Sequence, residues 1–101
     1  MAFMQITISP RGGEGTSVGD FVAEIHRYLK NQNLPYELND MATIVEGRAT
    51  ELYALARKLH EVPFKMGMKR VYTTIAIDDR RDKTVHMGDK VKSVQKRLRK
   101  R

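Results

Sequence analysis

Between Phe3 and Ser9 apolar and polar side chains alternate: Met4, Ile6 and Ile8 fall on one side, Phe3, Gln5, Thr7 and Ser9 on the other. That period belongs to a strand that buries one face. After a glycine-rich loop from Pro10 to Thr16 the period changes. Val18, Phe21, Val22, Ile25, Tyr28 and Leu29 share one helical stripe, with Ser17 placed to cap the helix and Asp20 to favour its positive end. Asn31 to Pro35 ends it, since Pro35 biases its predecessor away from helix. Tyr36 to Leu38 and Ala42 to Gly47 read as two short strands joined by a tight turn at Asn39-Asp40. A second helix is predicted from about Thr50, its cap, to His60, with Leu52, Leu55, Ala56 and Leu59 inward. Pro63 stops it or marks its last turn. Lys69 to Asp78 is the last long strand, and Asp78 to Lys83 its polar exit. Asp89 to Leu98 reads as a third helix whose narrow stripe, Val91, Val94 and Leu98, docks along one seam.

Strand, helix, strand, strand, helix, strand and a terminal helix predict an α+β chain of ferredoxin-like βαββαβ architecture. A four-stranded antiparallel sheet would carry its helices on one face. The other face would present Gln5, Thr7, Ser9, Tyr72 and Thr74. Such a face is seldom left fully wet. Pairing with a second copy is the simplest cover, and a seam between two such faces has room for a flat ligand.

Length and composition narrow the classes. A chain of 101 residues with 41% hydrophobic content is read as a single folded domain spanning residues 1–101. It has no cysteine, which excludes disulfides and thiolate metal sites and fits a reducing cytoplasm. The first ten residues read as a strand rather than a signal peptide, and no segment is apolar enough to span a bilayer. The net charge of +7 is local: Lys90, Lys92, Lys96, Arg97, Arg99, Lys100 and Arg101 supply it, and residues 1–89 are formally neutral. A basic tail from about residue 89 to 101 can attract nucleic acid or anionic lipid; its plainer role is a solvated helix end, where cations oppose the helix dipole.

The candidate chemistry is sparse. Within Met41-Ala42-Thr43-Ile44-Val45-Glu46-Gly47, a hydroxyl can donate to a ring nitrogen and a carboxylate can accept from an exocyclic amine, which suits an aminopyrimidine. The plain alternative is that Glu46 pairs with Arg48 or Arg70 at a strand end. Thr43 and Glu46 point to opposite faces of a regular strand, so one site takes both only if a bulge redirects one. The loop from Arg11 to Gly19 fits neither the dinucleotide fingerprint nor a phosphate loop. Asp78, Asp79 and Asp82 are interleaved with Arg80 and Arg81, which reads as an ion-pair turn rather than a cation site. His26, His60 and His86 lack metal-ligand spacing. No acid–base pair or nucleophile stands out, so no catalytic residue, metal ligand or cofactor is expected.

Taken together, Met41 to Gly47, Asp78-Asp79-Arg80-Arg81-Asp82-Lys83, Lys90 to Val94, the early Ile8-Ser9-Pro10 and Gly15-Thr16-Ser17-Val18 resemble the small thiamine-binding protein family (YkoF-like). The likeness runs over nearly the whole chain. It implies a ferredoxin-like, cytoplasmic subunit that pairs through its sheets, often as a dimer of dimers. It also implies binding of thiamine or its hydroxymethylpyrimidine moiety between subunits without catalysis, in transport, salvage or sensing. Carried onto this sequence, Thr43 and Glu46 contact the pyrimidine, Glu46 also favours the cationic thiazolium, and Thr74 lies nearby. Ser9 and Ser17 are further candidates at the same sheet edge. Ala42 stands where the family has glycine, which puts a methyl group beside any ligand approaching the backbone. Two other classes stay open: a nucleic-acid-associated protein using its basic tail, although the last strand lacks the Gly-aromatic pattern of RNA-binding sheets, and a structural oligomer with a vestigial pocket.

Overall fold

The computed structural model describes residues 1–12 and 18–100. It contains β1 (Ala2–Pro10), α1 (Val18–Leu29), β2 (Tyr36–Leu38), β3 (Thr43–Gly47), α2 (Ala49–Lys65), β4 (Val71–Asp79) and α3 (Asp89–Arg99). The strands form one antiparallel sheet in the order β2-β3-β1-β4. With α1 and α2 joining β1 to β2 and β3 to β4, the architecture is the ferredoxin-like sandwich that the sequence order predicts.

The two periods meet in one core. Met4 and Ile6 of β1 and Val45 of β3 pack with Ile25 and Leu29 of α1 and Leu52, Leu55 and Leu59 of α2. Leu52 and Leu59 are completely buried, and burying a leucine contributes about 1.5–3 kcal/mol. The register carries the alternation across the sheet: Phe3 is opposite both Glu46 and Asp78, Gln5 opposite Ile44 and Ala76, Thr7 opposite Thr74, and Ser9 opposite Tyr72. These residues share the face that α1 and α2 leave bare.

Three details depart from the pattern reading. The N-cap of α2 is Arg48, not Thr50: the Glu51 carboxylate accepts from the Arg48 backbone N–H and its Nε, both at 3.1 Å, so the cap lies two residues earlier. It also continues past His60 to Lys65, with Pro63 buried inside it. Pro63 lacks the N–H that would donate to the Leu59 carbonyl, yet the helix closes one more turn with Met66 N–H on the Val62 and Pro63 carbonyls. Finally, α3 does not dock along a seam of its own chain. None of its residues is buried, and Val91, Val94 and Leu98 are exposed. The radius of gyration of 15.6 Å exceeds the roughly 13 Å of a compact chain this long, as a projecting helix requires.

Candidate functional site

β1 outruns its neighbour. β3 pairs with it only from Ala2↔Gly47 to Ile6↔Thr43, whereas β4 follows it to Pro10↔Val71. Beyond Ile6, among the described residues, no strand pairs with β1 on the β3 side. The chain instead turns away at residues 39–42, closed by Asn39 N–H donating to the Ala42 carbonyl at 2.9 Å. The gap between this turn, the open edge of β1 and the start of α1 is a pocket of about 370 Å³. Small-molecule sites run from roughly 300 to 1,000 Å³. Ile8, Val22, Leu38 and Met41 form its apolar wall, and Thr7, Ser9, Asp40 and Thr43 bring polar groups to it.

Local packing fixes two of those groups. Thr43 is buried on the helix-covered side of β3, and its hydroxyl is hydrogen-bonded to His26 Nε2 at 3.2 Å. The His26 ring meets Tyr36 edge-on, with centroids 5.4 Å apart, and burial lowers its pKa below 6.5. A neutral ring therefore positions the Thr43 hydroxyl at neutral pH. Thr7 Oγ1 donates to the Met41 carbonyl at 3.1 Å, tying the turn to β1.

Glu46 is elsewhere. The β1–β3 register runs without a bulge, so Glu46 lies on the opposite face from Thr43. It is 4% exposed, and its carboxylate accepts from His86 Nδ1 at 2.9 Å and from the Met87 backbone N–H at 2.7 Å. Burial pushes the Glu46 carboxyl up, but these two hydrogen bonds outweigh it and hold its pKa below the ordinary 4.5. The same bond and charge raise His86 above 6.5. His86 N–H in turn donates to Asp89 Oδ2 at 2.8 Å, at the start of α3.

The five sequence candidates thus separate. Ser9 and Thr43 line the pocket. Thr74 is exposed on the bare face opposite Thr7. Strand spacings put Glu46 roughly 16 Å from Thr74 within one chain. Ser17 lies outside the described residues. Asp40 and His26 were not singled out as site residues: Asp40 is a turn residue by pattern, and His26 sits beside an apolar stripe, so neither carried a signal. The acids after β4 pair with the arginines among them, Arg80 with Asp82 at 2.7 Å and Arg81 with Asp79 at 2.8 Å. Among the described residues no group of acids and histidines is arranged to hold a metal, and no helix is long and apolar enough to cross a membrane.

A family model described as "Thiamine-binding protein" matches residues 4–95. The chain belongs to the thiamine-binding protein family. Among its relatives in that family are UPF0045 proteins of Staphylococcus xylosus, 41% identical over 97% of this chain and 95% of the other, and of Bacillus subtilis, 40% identical over 97% and 98%. A hypothetical protein of Methanocaldococcus jannaschii has a similar structure (TM-score 0.82, 28% identity, 93% of this chain and 95% of that one). A candidate thiamine biosynthesis/salvage protein of Thermotoga maritima shares the fold at TM-score 0.75 and 18% identity, over 92% and 97% of the two chains. The thiamine-binding protein family is defined by binding rather than by a reaction.

Proposed function

We propose that this protein binds thiamine or its hydroxymethylpyrimidine moiety, without turnover, in the pocket between the β1 edge, the 39–42 turn and α1. The observation that carries this reading is the positioned Thr43 hydroxyl in a cavity that Asp40 also lines and that Ile8, Val22, Leu38 and Met41 wall with apolar side chains. An aminopyrimidine offers ring-nitrogen acceptors and an exocyclic amine donor. Thr43 and Ser9 suit the first, and the Asp40 carboxylate suits the second or a thiazolium cation. Asp40 takes the role that the family resemblance gave to Glu46, because both Glu46 oxygens already accept from residues 86 and 87. Thr7, at the pocket rim, is continuous with Thr74 and Tyr72 on the bare face, so a second copy meeting that face closes the pocket. Family membership supports the choice of ligand.

Melting with thiamine, its phosphates and hydroxymethylpyrimidine tests the proposal. Ligand at a hundred times its Kd adds about 2.7 kcal/mol, a rise of roughly 10 °C or more for a chain of this size. Asp40→Asn and Thr43→Val should each shrink the rise. The reading fails if none of these compounds moves the transition.

A further inference from the structure

We propose that His26 is a positioning residue that acts on the ligand through Thr43. By donating from Nε2 it leaves the Thr43 hydroxyl proton free for the pocket, which then selects a flat ring with an acceptor nitrogen over the same ring carrying C–H there. This rests on the reading that the pocket takes such a ring, and adds what decides among rings of one shape.

The placement begins on α1. Phe21, Ile25 and Leu29 are buried on its inner side, and half-buried His26, one position on from Ile25, comes against Tyr36 of β2 and Thr43 of β3. The edge-on contact with Tyr36, centroids 5.4 Å apart, holds the plane of the imidazole. Thr43 is paired with Ile6 on one side and Leu38 on the other, so the root of its side chain is fixed. The two meet with Nε2 and Oγ1 3.2 Å apart.

A count of protons shows what that contact controls. A threonine hydroxyl has one hydrogen and two lone pairs, and a neutral imidazole has one N–H and one acceptor nitrogen. Burial, rather than a neighbouring charge, lowers His26 below 6.5, so at neutral pH the ring is neutral and Nε2 can take either part. If Nε2 accepts, the hydroxyl proton is occupied and Thr43 offers the pocket lone pairs alone. If Nε2 donates, that proton can point into the pocket. The position of one proton on His26 therefore sets what Thr43 can pair with.

The other polar groups favour the second arrangement. Among the described residues that line the pocket, Thr43 is the one polar side chain that is buried; Ser9 is half-buried, and Thr7, Asn39 and Asp40 are exposed. Thr7 donates its proton to the Met41 carbonyl, and the Asp40 carboxylate can only accept. Acceptors thus already serve an amine or a cation at the rim. A donor at the buried end is what Thr43 adds, and it requires His26 to carry its proton on Nε2. A ring nitrogen there completes an unbroken relay from His26 through Thr43 to the ligand. A C–H in its place leaves the hydroxyl proton unpaired or forces the imidazole to move its own proton to Nδ1, and a site built around a hydrogen bond rejects a ligand that lacks the partner.

Hydroxymethylpyrimidine and its benzene isostere, with both ring nitrogens replaced by C–H, are the probes. Calorimetry should show the wild type binding the first about tenfold more tightly, and Thr43→Val should remove the difference. At mildly alkaline pH, 15N NMR of the unsubstituted protein reads which ring nitrogen is protonated, and with the pyrimidine bound it should be Nε2. His26→Phe keeps a ring against Tyr36 without a donor. It should bind the pyrimidine on the order of tenfold more weakly, and adding Thr43→Val to it should cost little more, as for two residues acting in one relay. His26→Gln, whose amide can donate, should recover part of the loss, which a space-filling role would not allow. A pyrimidine complex with Nε2 unprotonated overturns the proposal. Equal binding of the two probes by the wild type overturns the role of His26 and leaves the pocket as a binding site; binding of neither probe and no thiamine overturns both.

Discussion

Glu46 and His86, forty residues apart in the chain, are joined at 2.9 Å on the face of the sheet that carries no helix. The contact settles what a buried carboxylate does there. An unpaired charge at that depth is costly, and the chain answers with one imidazole and one backbone N–H. The pair is therefore an anchor for residues 80–88, and through the His86 N–H bond to Asp89 it sets where α3 begins.

That anchor is sensitive to pH in both directions. The hydrogen bond and charge of Glu46 raise His86 above 6.5; Asp89 raises it further, while burial and the amino terminus oppose. A raised histidine contributes stability that is fully present below its unfolded pKa and is lost as pH climbs through the folded value. Glu46, held below 4.5, contributes stability present above that value and lost as pH falls through its lowered pKa. The clamp is strongest between the two. A proton titration of His86 by NMR should give a midpoint above 6.5, and Glu46→Gln should bring it back to about 6.5. Amide exchange at Met87 should quicken in that variant. A wild-type midpoint at or below 6.5 removes the anchor from the account.

Thr43→Val separates the pocket from the clamp. The substitution keeps the shape and removes the hydroxyl that His26 holds. Leaving the half-buried ring without that partner costs about 1 kcal/mol, seen as a lower melting temperature. His86 should titrate unchanged, because Thr43 and Glu46 are on opposite faces. Loss of one hydrogen bond to the ligand should weaken binding on the order of tenfold. Equal binding by calorimetry would remove Thr43 from the site.

The sheet was legible in the sequence because its central strand carries a clean period: Met4, Ile6 and Ile8 against Gln5, Thr7 and Ser9 needs no tertiary information. The helix boundaries were less so. Arg48 is a poor cap by residue type, and its role depends on Glu51 reaching back to its N–H. Pro63 reads as a stop or as a last-turn residue, and the second holds: the helix ends at Lys65, within a turn of it. The parity of Thr43 and Glu46 was visible as an obstacle to a shared site, and the unbroken register keeps it one. His86 and Glu46 could not be paired by inspection, since no local pattern links positions forty residues apart. Nor does any residue pattern announce a pocket made by one strand outrunning another.

Ala42 is half-buried in the turn and lines the pocket. Ala42→Gly removes a methyl group from the wall, at a cost of up to about 1 kcal/mol in chain entropy. A ligand that approaches the turn backbone should then bind more tightly, so the ligand-induced rise should grow while the unliganded protein melts lower. If both melting temperatures fall by the same amount, the methyl group does not face the ligand.

Gly47 ends β3. Its backbone does not have a positive φ. A Cβ built there would meet Leu52 Cδ2 at 3.4 Å and Leu34 Cδ2 at 3.5 Å, ordinary van der Waals contact with two leucine methyl groups. Gly47→Ala should therefore fold, and should gain up to about 1 kcal/mol by restricting the unfolded chain. Denaturant unfolding measures this directly. A midpoint equal to or above wild type is expected; a loss of more than about 1 kcal/mol would mean that the β3–α2 junction has no room for the methyl group, and that the glycine is required for packing beneath α2.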